Sequence, residues 1–218
     1  MLEKVVIAGV SVAHKRISIT RSAEQAVSTA SGDFAISGPG IPAHPDDEVT
    51  ITANGTLLLT GYVRDVTPSY EAASGSRSLS ISFVSKTVDA TETSVDHPTG
   101  EAKDKSLPDI AREFDTLGIG IEDDGGATEI EPRHKLDVGE SLFSTVERRA
   151  RGRGILIHDT PEGKLKLATK PAGQHAGSLK AGVNIERASA TFTGKDKHSD
   201  VQVRGQTTTG SADAQLRP

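Results

Sequence analysis

The segment Ala43-His44-Pro45-Asp46-Asp47-Glu48 comes closer to a reactive constellation than any other in this 218-residue chain. One imidazole and three neighbouring carboxylates can supply ligands for a zinc ion and a base for the water it activates, the division of labour of metal-assisted hydrolysis. A further zinc ligand has to come from elsewhere, and none of His97, His134, His158, His175 or His198 has a second His three positions on. Asp123-Asp124-Gly125-Gly126 offers oxygens to calcium but lacks the alternating ligands and closing Glu of a calcium loop, so it reads as a turn. Gly118-Ile119-Gly120 and Gly152-Arg153-Gly154 lack the strand, turn and helix of a phosphate loop and read as stops. Arg148, Arg149, Arg151 and Arg153 gather charge, but without interleaved aromatics and among acidic neighbours they read as a solvated helix end. There is no H-E-x-x-H, G-x-S-x-G or triad pattern, and the carboxylates are too scattered for a glycosidase pair. The sequence therefore nominates no catalytic, cofactor-binding or metal residue, no cofactor and no enzyme.

The elements that would have to position His44 and Asp47 point the same way. As a string, the segment resembles the motif of the zinc-dependent N-acetylglucosaminyl deacetylase family, in which the His and an Asp hold zinc and the neighbouring Asp is the base. That motif follows a buried parallel strand and leads into a glycine-rich helix start. Here it follows the turn-rich Gly38-Pro39-Gly40-Ile41-Pro42 and feeds a hairpin, so the expectation is a polar turn before a strand. A zinc-dependent hydrolase using His44 to Glu48 is the alternative reading.

Composition narrows the classes further. Hydrophobic residues are 34% of the chain, with five Phe, two Tyr and no Trp, so a core must be built from Val, Ile, Leu and Ala. The same scarcity argues against a carbohydrate-binding module, which stacks sugars on aromatic rings. With 22 Gly and 10 Pro, many turns and short strands are expected. The absence of Cys removes disulfides, thiolate metal sites and cysteine nucleophiles, and fits assembly in a reducing cytoplasm. Net charge is −5, with no basic segment of the kind that phosphate-backbone binding requires. The start lacks the basic and apolar regions of a signal peptide, and no 18 apolar residues run together, so a soluble, unprocessed chain without stable membrane insertion is expected.

Along the first ninety residues, period-two runs alternate with turn signals. Strands are expected at residues 5–10, 16–20, 33–37, 48–53, 56–63 continuing to 70, and 78–84, with Asn54-Gly55 as a type I′ hairpin turn. Six or seven antiparallel strands suggest a sandwich or barrel. Residues 91–105 are polar and read as a loop or domain boundary. A helix fits 106–117, with Ser106 as cap, Pro108 in the first turn and Leu107, Ile110, Phe114 and Leu117 on one face. A short strand at 119–122 follows. A second helix fits 140–151, with Leu142, Phe143, Val146 and Ala150 inward, then a hairpin from 154–159 and 164–168. Strand-like pieces return at 183–187, 189–193 and 200–205.

In order, these phrases resemble the Mu-type phage tail baseplate hub family. The resemblance runs through Gly38-Pro39-Gly40, Asp47-Glu48-Val49-Thr50-Ile51, Leu58-Leu59-Thr60-Gly61-Tyr62-Val63 and Leu79-Ser80-Ile81-Ser82-Phe83-Val84. It continues through Ser106-Leu107-Pro108-Asp109-Ile110-Ala111, Val138-Gly139-Glu140-Ser141-Leu142-Phe143, Gly154-Ile155-Leu156-Ile157-His158-Asp159, Leu179-Lys180-Ala181-Gly182-Val183 and Val201-Gln202-Val203-Arg204-Gly205. It implies an α+β, mainly β fold: a tail-tube-like antiparallel β-barrel domain at 1–93, an inserted small α/β domain with two helices at 94–175, and the beginning of a second, incomplete β-domain at 176–218. The implied function is structural. A homotrimeric ring would join the hexameric tail tube to the trimeric central spike within the virion's baseplate, after assembly in the host bacterial cytoplasm. Its partners would be itself, the tube protein, the spike and other baseplate proteins, with no specific nucleic-acid binding.

Overall fold

The expected run of short strands is present in the computed structural model, which describes residues 4–10, 13–36, 42–73, 75–173, 177–178, 180–185, 187–194, 200 and 202. Six strands, β1 (Val5–Ala8), β2 (His14–Thr20), β3 (Thr29–Phe34), β4 (Glu48–Ala53), β5 (Thr56–Glu71) and β6 (Ser76–Ser85), form one antiparallel sheet of order β1-β4-β5-β6-β3-β2. Asn54 (φ 51°) and Gly55 (φ 82°) make the tight β4–β5 turn that the sequence announces, closing on the pair Ala53 and Thr56.

The sheet is a curled half-barrel. A flat sheet of six strands would hold its edges about 24 Å apart, at about 4.8 Å per neighbour. The six residue steps from Ala8 to His14 reach at most about 21 Å fully extended, so β1 and β2, the two edges, have to bend toward each other. Bulges supply the bend. β5 carries Arg64 as an extra residue between the pairs Val63–Phe83 and Asp65–Ser82, and β4–β5 shifts register at Thr52. Beside the Arg64 bulge, Gly61 lets β5 approach β6 closely, because a Cβ there would stand 1.9 Å from the Val84 carbonyl oxygen. Inside the curl, Phe34, Val49, Ile51, Leu59, Val63, Leu79, Ile81 and Phe83 form one core, with Phe34 and Phe83 edge to face at 6.0 Å. Val5, Ile7, Ile17 and Ile19, the inward residues of the two edge strands, are only partly covered by it.

After the sheet come α1 (Val88–Glu92), β7 (Glu101–Ser106), α2 (Leu107–Phe114), β8 (Ile121–Asp123), β9 (Ile130–Lys135), α3 (Leu142–Ala150), a 3-10 turn at Arg151–Arg153, β10 (Leu156–Asp159) and β11 (Leu165–Ala168). β10 and β11 are the expected hairpin, and β8 joins β11 in parallel. The Ser106 side chain caps α2 by accepting from the Asp109 N–H, and Ser141 caps α3 by accepting from the Ser144 N–H. Leu107, Ile110 and Phe114 of α2 pack with Leu142 and Val146 of α3 over Ile157, Leu165 and Leu167, giving a second core.

Several expectations need correction. β3 lies at Thr29–Phe34 rather than 33–37, because its inward residues include Ala30 and Gly32, too small to mark a strand; residue 37 is outside the described residues. Residues 91–105 are not a loop throughout: α1 runs to Glu92 and β7 begins at Glu101, paired with β9, which sequence reasoning missed altogether. Both strands are polar. Their pairing is laced by charge, with Glu101 taking both Nε (2.9 Å) and Nη2 (3.0 Å) of Arg133. Helices α2 and α3 stop at Phe114 and Ala150, leaving Leu117 exposed beyond the first. Residues 189–193 form no strand, and only an Ala181–Ile185 bridge stands near the piece expected at 183–187. Of the piece expected at 200–205, only Asp200 and Gln202 are described. By contacts the chain divides into a unit of residues 1–172 and another of 173–218.

Candidate assembly surfaces

His44 sits in a turn just before β4. Its N–H donates to Asp47 Oδ2 at 2.7 Å, and its ring Nδ1 lies 3.8 Å from the same oxygen with 74% of the side chain exposed. Asp46 N–H donates to the Val63 carbonyl, and Val63 N–H donates back to the Asp47 carbonyl, both at 2.9 Å. The segment ties an exposed turn to β5. Among the described residues no group of three or more His, Asp or Glu side chains is placed to hold a metal ion.

The basic run is consumed by partners on its own module. Arg148 pairs with Asp137 (2.7 Å) and Glu140 (3.2 Å), Arg149 with Glu131 (3.3 Å), and Arg151 Nε with Glu147 (2.7 Å). Arg153 reaches both Glu129 (3.0 Å) and Glu131 (3.1 Å). Arg149 and Arg153 thus brace α3 and its 3-10 extension against Glu131 of β9, Arg148 reaches the Lys135 carbonyl at the end of β9, and Arg151 is paired within the helix, so the four do not form an uncompensated patch.

Asp124, read as part of a plain turn, is the staple of its loop. Its carboxylate accepts from the backbone N–H groups of Thr169 (2.8 Å), Lys170 (3.1 Å) and Gly126 (3.0 Å), and from the Thr169 hydroxyl. Those donors, Thr169 first, hold its pKa down at about 2. Asp115 does a similar service after α2, accepting from Ile119 and Gly120 N–H.

Two buried polar groups had no recognisable sequence signal. Asp159, at the end of β10, is 3% exposed and accepts from Ser28 N (3.1 Å) and Ser28 Oγ (2.8 Å) at the start of β3. Arg21 donates to the Asp159 carbonyl oxygen at 3.1 Å, and Ser28 N–H also reaches Ser85 Oγ. This cluster joins the half-barrel to the α/β module. His134, fully buried on β9, sits between Glu131 (3.2 Å) and the Thr145 hydroxyl (2.8 Å), with Phe114 against its ring. Nearer the surface, Tyr62 donates to Asp89 at 3.0 Å. Desolvation, then that hydrogen bond, pushes the phenol up to about 12.

Three surfaces remain for assembly. The first is the outward face of the sheet, where short hydroxyls form transverse rows, Thr20 beside Thr29, Ser18–Ser31–Ser82, and Ser80 beside Thr67, with Arg16, Asp33 and Asp65 among them. The second is the β5–β6 hairpin beyond the pair Pro68–Leu79, where β3 ends, with Tyr70 exposed and Arg77 stacked on it at 5.8 Å. The third is the pair of sheet edges, since among the described residues β1 bonds only to β4 and β2 only to β3. Among the described residues no helix is long and apolar enough to cross a membrane.

Comparison with known proteins fits this arrangement. Residues 87–169, which hold the α/β module, match the family described as baseplate hub protein gp44-like, second domain. The baseplate hub protein gp44 of Escherichia phage Mu is 23% identical over 200 residues, covering 87% of this chain and 51% of that protein. The 43 kDa tail protein of prophage MuSo2 from Shewanella oneidensis superposes with a TM-score of 0.77 at 24% identity, over 90% of this chain and 63% of that one. A tail protein from Neisseria meningitidis MC58 follows at 0.61 and 16% identity, over 76% and 50%. The chain spans about half the length of the curated relative it matches.

Proposed function

Because the chain is a member of the Mu-type phage tail baseplate hub family, we propose that it acts without catalysis, as a homotrimeric ring that joins the hexameric tail tube to the trimeric spike. The organisation behind this reading is a tail-tube-like domain at 1–93, the α/β domain at 94–175 and the beginning of a second β-domain at 176–218. The observation that carries it is a half-barrel with both edges open among the described residues, beside a module that matches a hub domain. An open antiparallel edge is a template for another strand, and a ring of such domains removes its own edges. Its partners would be further copies of itself, the tube and spike proteins and other baseplate components. Its place would be the virion's tail baseplate, reached after assembly in the bacterial cytoplasm.

The hydroxyl-paved face suits the wall of a channel through which DNA or an effector passes. The short hydroxyls offer little apolar area, the carboxylates Asp33 and Asp65 stand among them, Arg16 lies opposite Asp33, and Arg64 is paired with Glu92 at 2.8 Å.

The test is the mass in solution of the purified chain. Three times the 22.8 kDa chain mass is expected; a monomer at every concentration would overturn the ring. The hydrolase alternative is tested on the same sample, where His44→Ala should leave mass and melting temperature unchanged and metal analysis should find no stoichiometric zinc. Zinc bound at His44 and Asp47 would revive it.

A further inference from the structure

We propose that the α/β module carries a docking groove for an extended acidic peptide of a partner protein, laid over the face of β10 and β11 that the helices leave bare. The groove lies wholly on one copy, so it goes beyond the ring and does not depend on it.

The two faces of the small sheet are unlike. Ile157, Leu165 and Leu167 are buried in the core shared with α2 and α3, so by alternation Leu156, His158, Lys166 and Ala168 stand on the opposite side. There a groove of about 570 Å³ lies within residues 1–172, lined on its apolar part by Leu156, which is 48% exposed, and by Ala168, Pro171 and Ala172. The six residue steps along its wall from Lys166 to Ala172 span at most about 21 Å, the reach of about six residues of extended chain. An elongated apolar groove of that reach suits a peptide strand better than a compact solute.

Charge selects which peptide. His158 stands directly opposite Lys166 in the β10–β11 ladder, and Glu122 of β8 completes the row, but Glu122 is taken by Lys164 Nζ at 3.2 Å. Lys166 and Lys170 have no ion pair among the described residues. Asp124, the one carboxylate lining the groove, is spent on the N–H groups of Thr169, Lys170 and Gly126. A carbonyl oxygen can only accept, so His158 Nδ1 donates to the Asp159 carbonyl at 3.0 Å, which fixes the ring and leaves Nε2 to meet a ligand. Two unpaired ammonium groups and an imidazole nitrogen beside apolar area are complementary to carboxylates carried on an apolar chain. No aromatic side chain lines the groove, so it offers no platform on which nucleic-acid bases would stack.

The probe is a fluorescein-labelled hexapeptide of alternating leucine and glutamate, titrated with the full chain and read by fluorescence anisotropy. Saturable binding is expected, weakened at least about tenfold by the Lys166→Glu/Lys170→Glu double variant and by Leu156→Asp, and falling as salt is added. Both variants should keep the circular dichroism and melting temperature of the parent; if the double variant melts early, Lys170→Glu alone, at an exposed position, should still weaken binding by about threefold or more. The matching leucine–lysine peptide should not bind. No saturation below about 1 mM, equal binding of the leucine–lysine peptide, or undiminished binding by the lysine variants would each overturn the proposal. Full displacement of the probe by millimolar acetate would overturn it in favour of a site for small carboxylates, and displacement by oligo-dT in favour of a nucleic-acid surface. A trimer that binds no peptide would refute the groove and leave the ring standing, whereas a monomer that binds it would keep the groove and remove the ring.

Discussion

Replacing Asp159 with Ala removes the carboxylate that holds the α/β module to the half-barrel. In the folded chain it accepts two close hydrogen bonds from Ser28, with Arg21 4.0 Å away, and it is almost wholly shielded from water. Hydrogen bonds to a charged group contribute about 1.5–3 kcal/mol each, and unmaking one side of a buried cluster leaves its donors unpaired. Not all donors are stranded, because Ser28 N–H keeps Ser85 Oγ as acceptor at 3.1 Å. The two terms together suggest a loss of about 3 kcal/mol, which for a chain of this size lowers Tm by about 6–12 °C. Asp159→Asn, which keeps one acceptor oxygen for the Ser28 hydroxyl, should lose about half as much. Urea unfolding followed by near-UV and far-UV signals is the assay. Because the cluster lies between two separate cores, the alanine variant should also split one transition into two. A loss below about 1 kcal/mol with a single sharp transition would show that the cores are coupled elsewhere and refute the reasoning.

Acid should release the loop after β8. The Asp124 carboxyl has a folded pKa of about 2, below its unfolded value of about 3.9. Its contribution is therefore complete above about pH 4 and is lost as pH falls toward 2, and Asp124→Asn should flatten the acid limb of a stability-against-pH curve between those values. A spectrophotometric titration should show the Tyr62 phenol ionising at about 12, and Tyr62→Phe should abolish that phase and cost about 1 kcal/mol through loss of the Asp89 hydrogen bond. Gly61→Ala drives a methyl into the Val84 carbonyl and should cost upwards of about 2 kcal/mol in thermal melts, against about 0.5 kcal/mol or less for His44→Ala on the surface.

Much of the fold was legible wherever one physical signal sufficed. Asn54-Gly55 fixed a hairpin because so few residues accept its dihedral angles, and Ser106 and Pro108 announced a helix start. Strands β4, β5 and β6 displayed clean alternation because each has one face in the core. Legibility failed where partners were remote. β7 is held to β9 by Glu101 with Arg133 and to α2 by Lys105 with Glu113, pairs that look like loop charges until the elements are side by side. β3 was displaced because glycine and alanine serve as its inward residues. The candidate site was read less completely. His44 and Asp47 were recognised as a turn from their neighbours, but Asp159 shows as one polar residue closing an apolar run, and its donors at Arg21 and Ser28 lie more than a hundred positions away.

The strand order β1-β4-β5-β6-β3-β2 also sets a timetable. β4, β5 and β6 make the one run of three strands adjacent in both chain and sheet, so their meander is the piece that local contacts can nucleate. The first three strands leave the ribosome earlier, yet β1 has no partner until Ala53 is made, and the β2–β3 hairpin has no sheet to dock on until Ser85 follows. At about 5–20 residues per second the nascent chain spends several seconds in this state. Strands β1, β2 and β3 are thus made before the meander and secured after it, so residues 5–34 are the segment of this sheet where slowed translation or a chaperone would most alter the yield of folded protein.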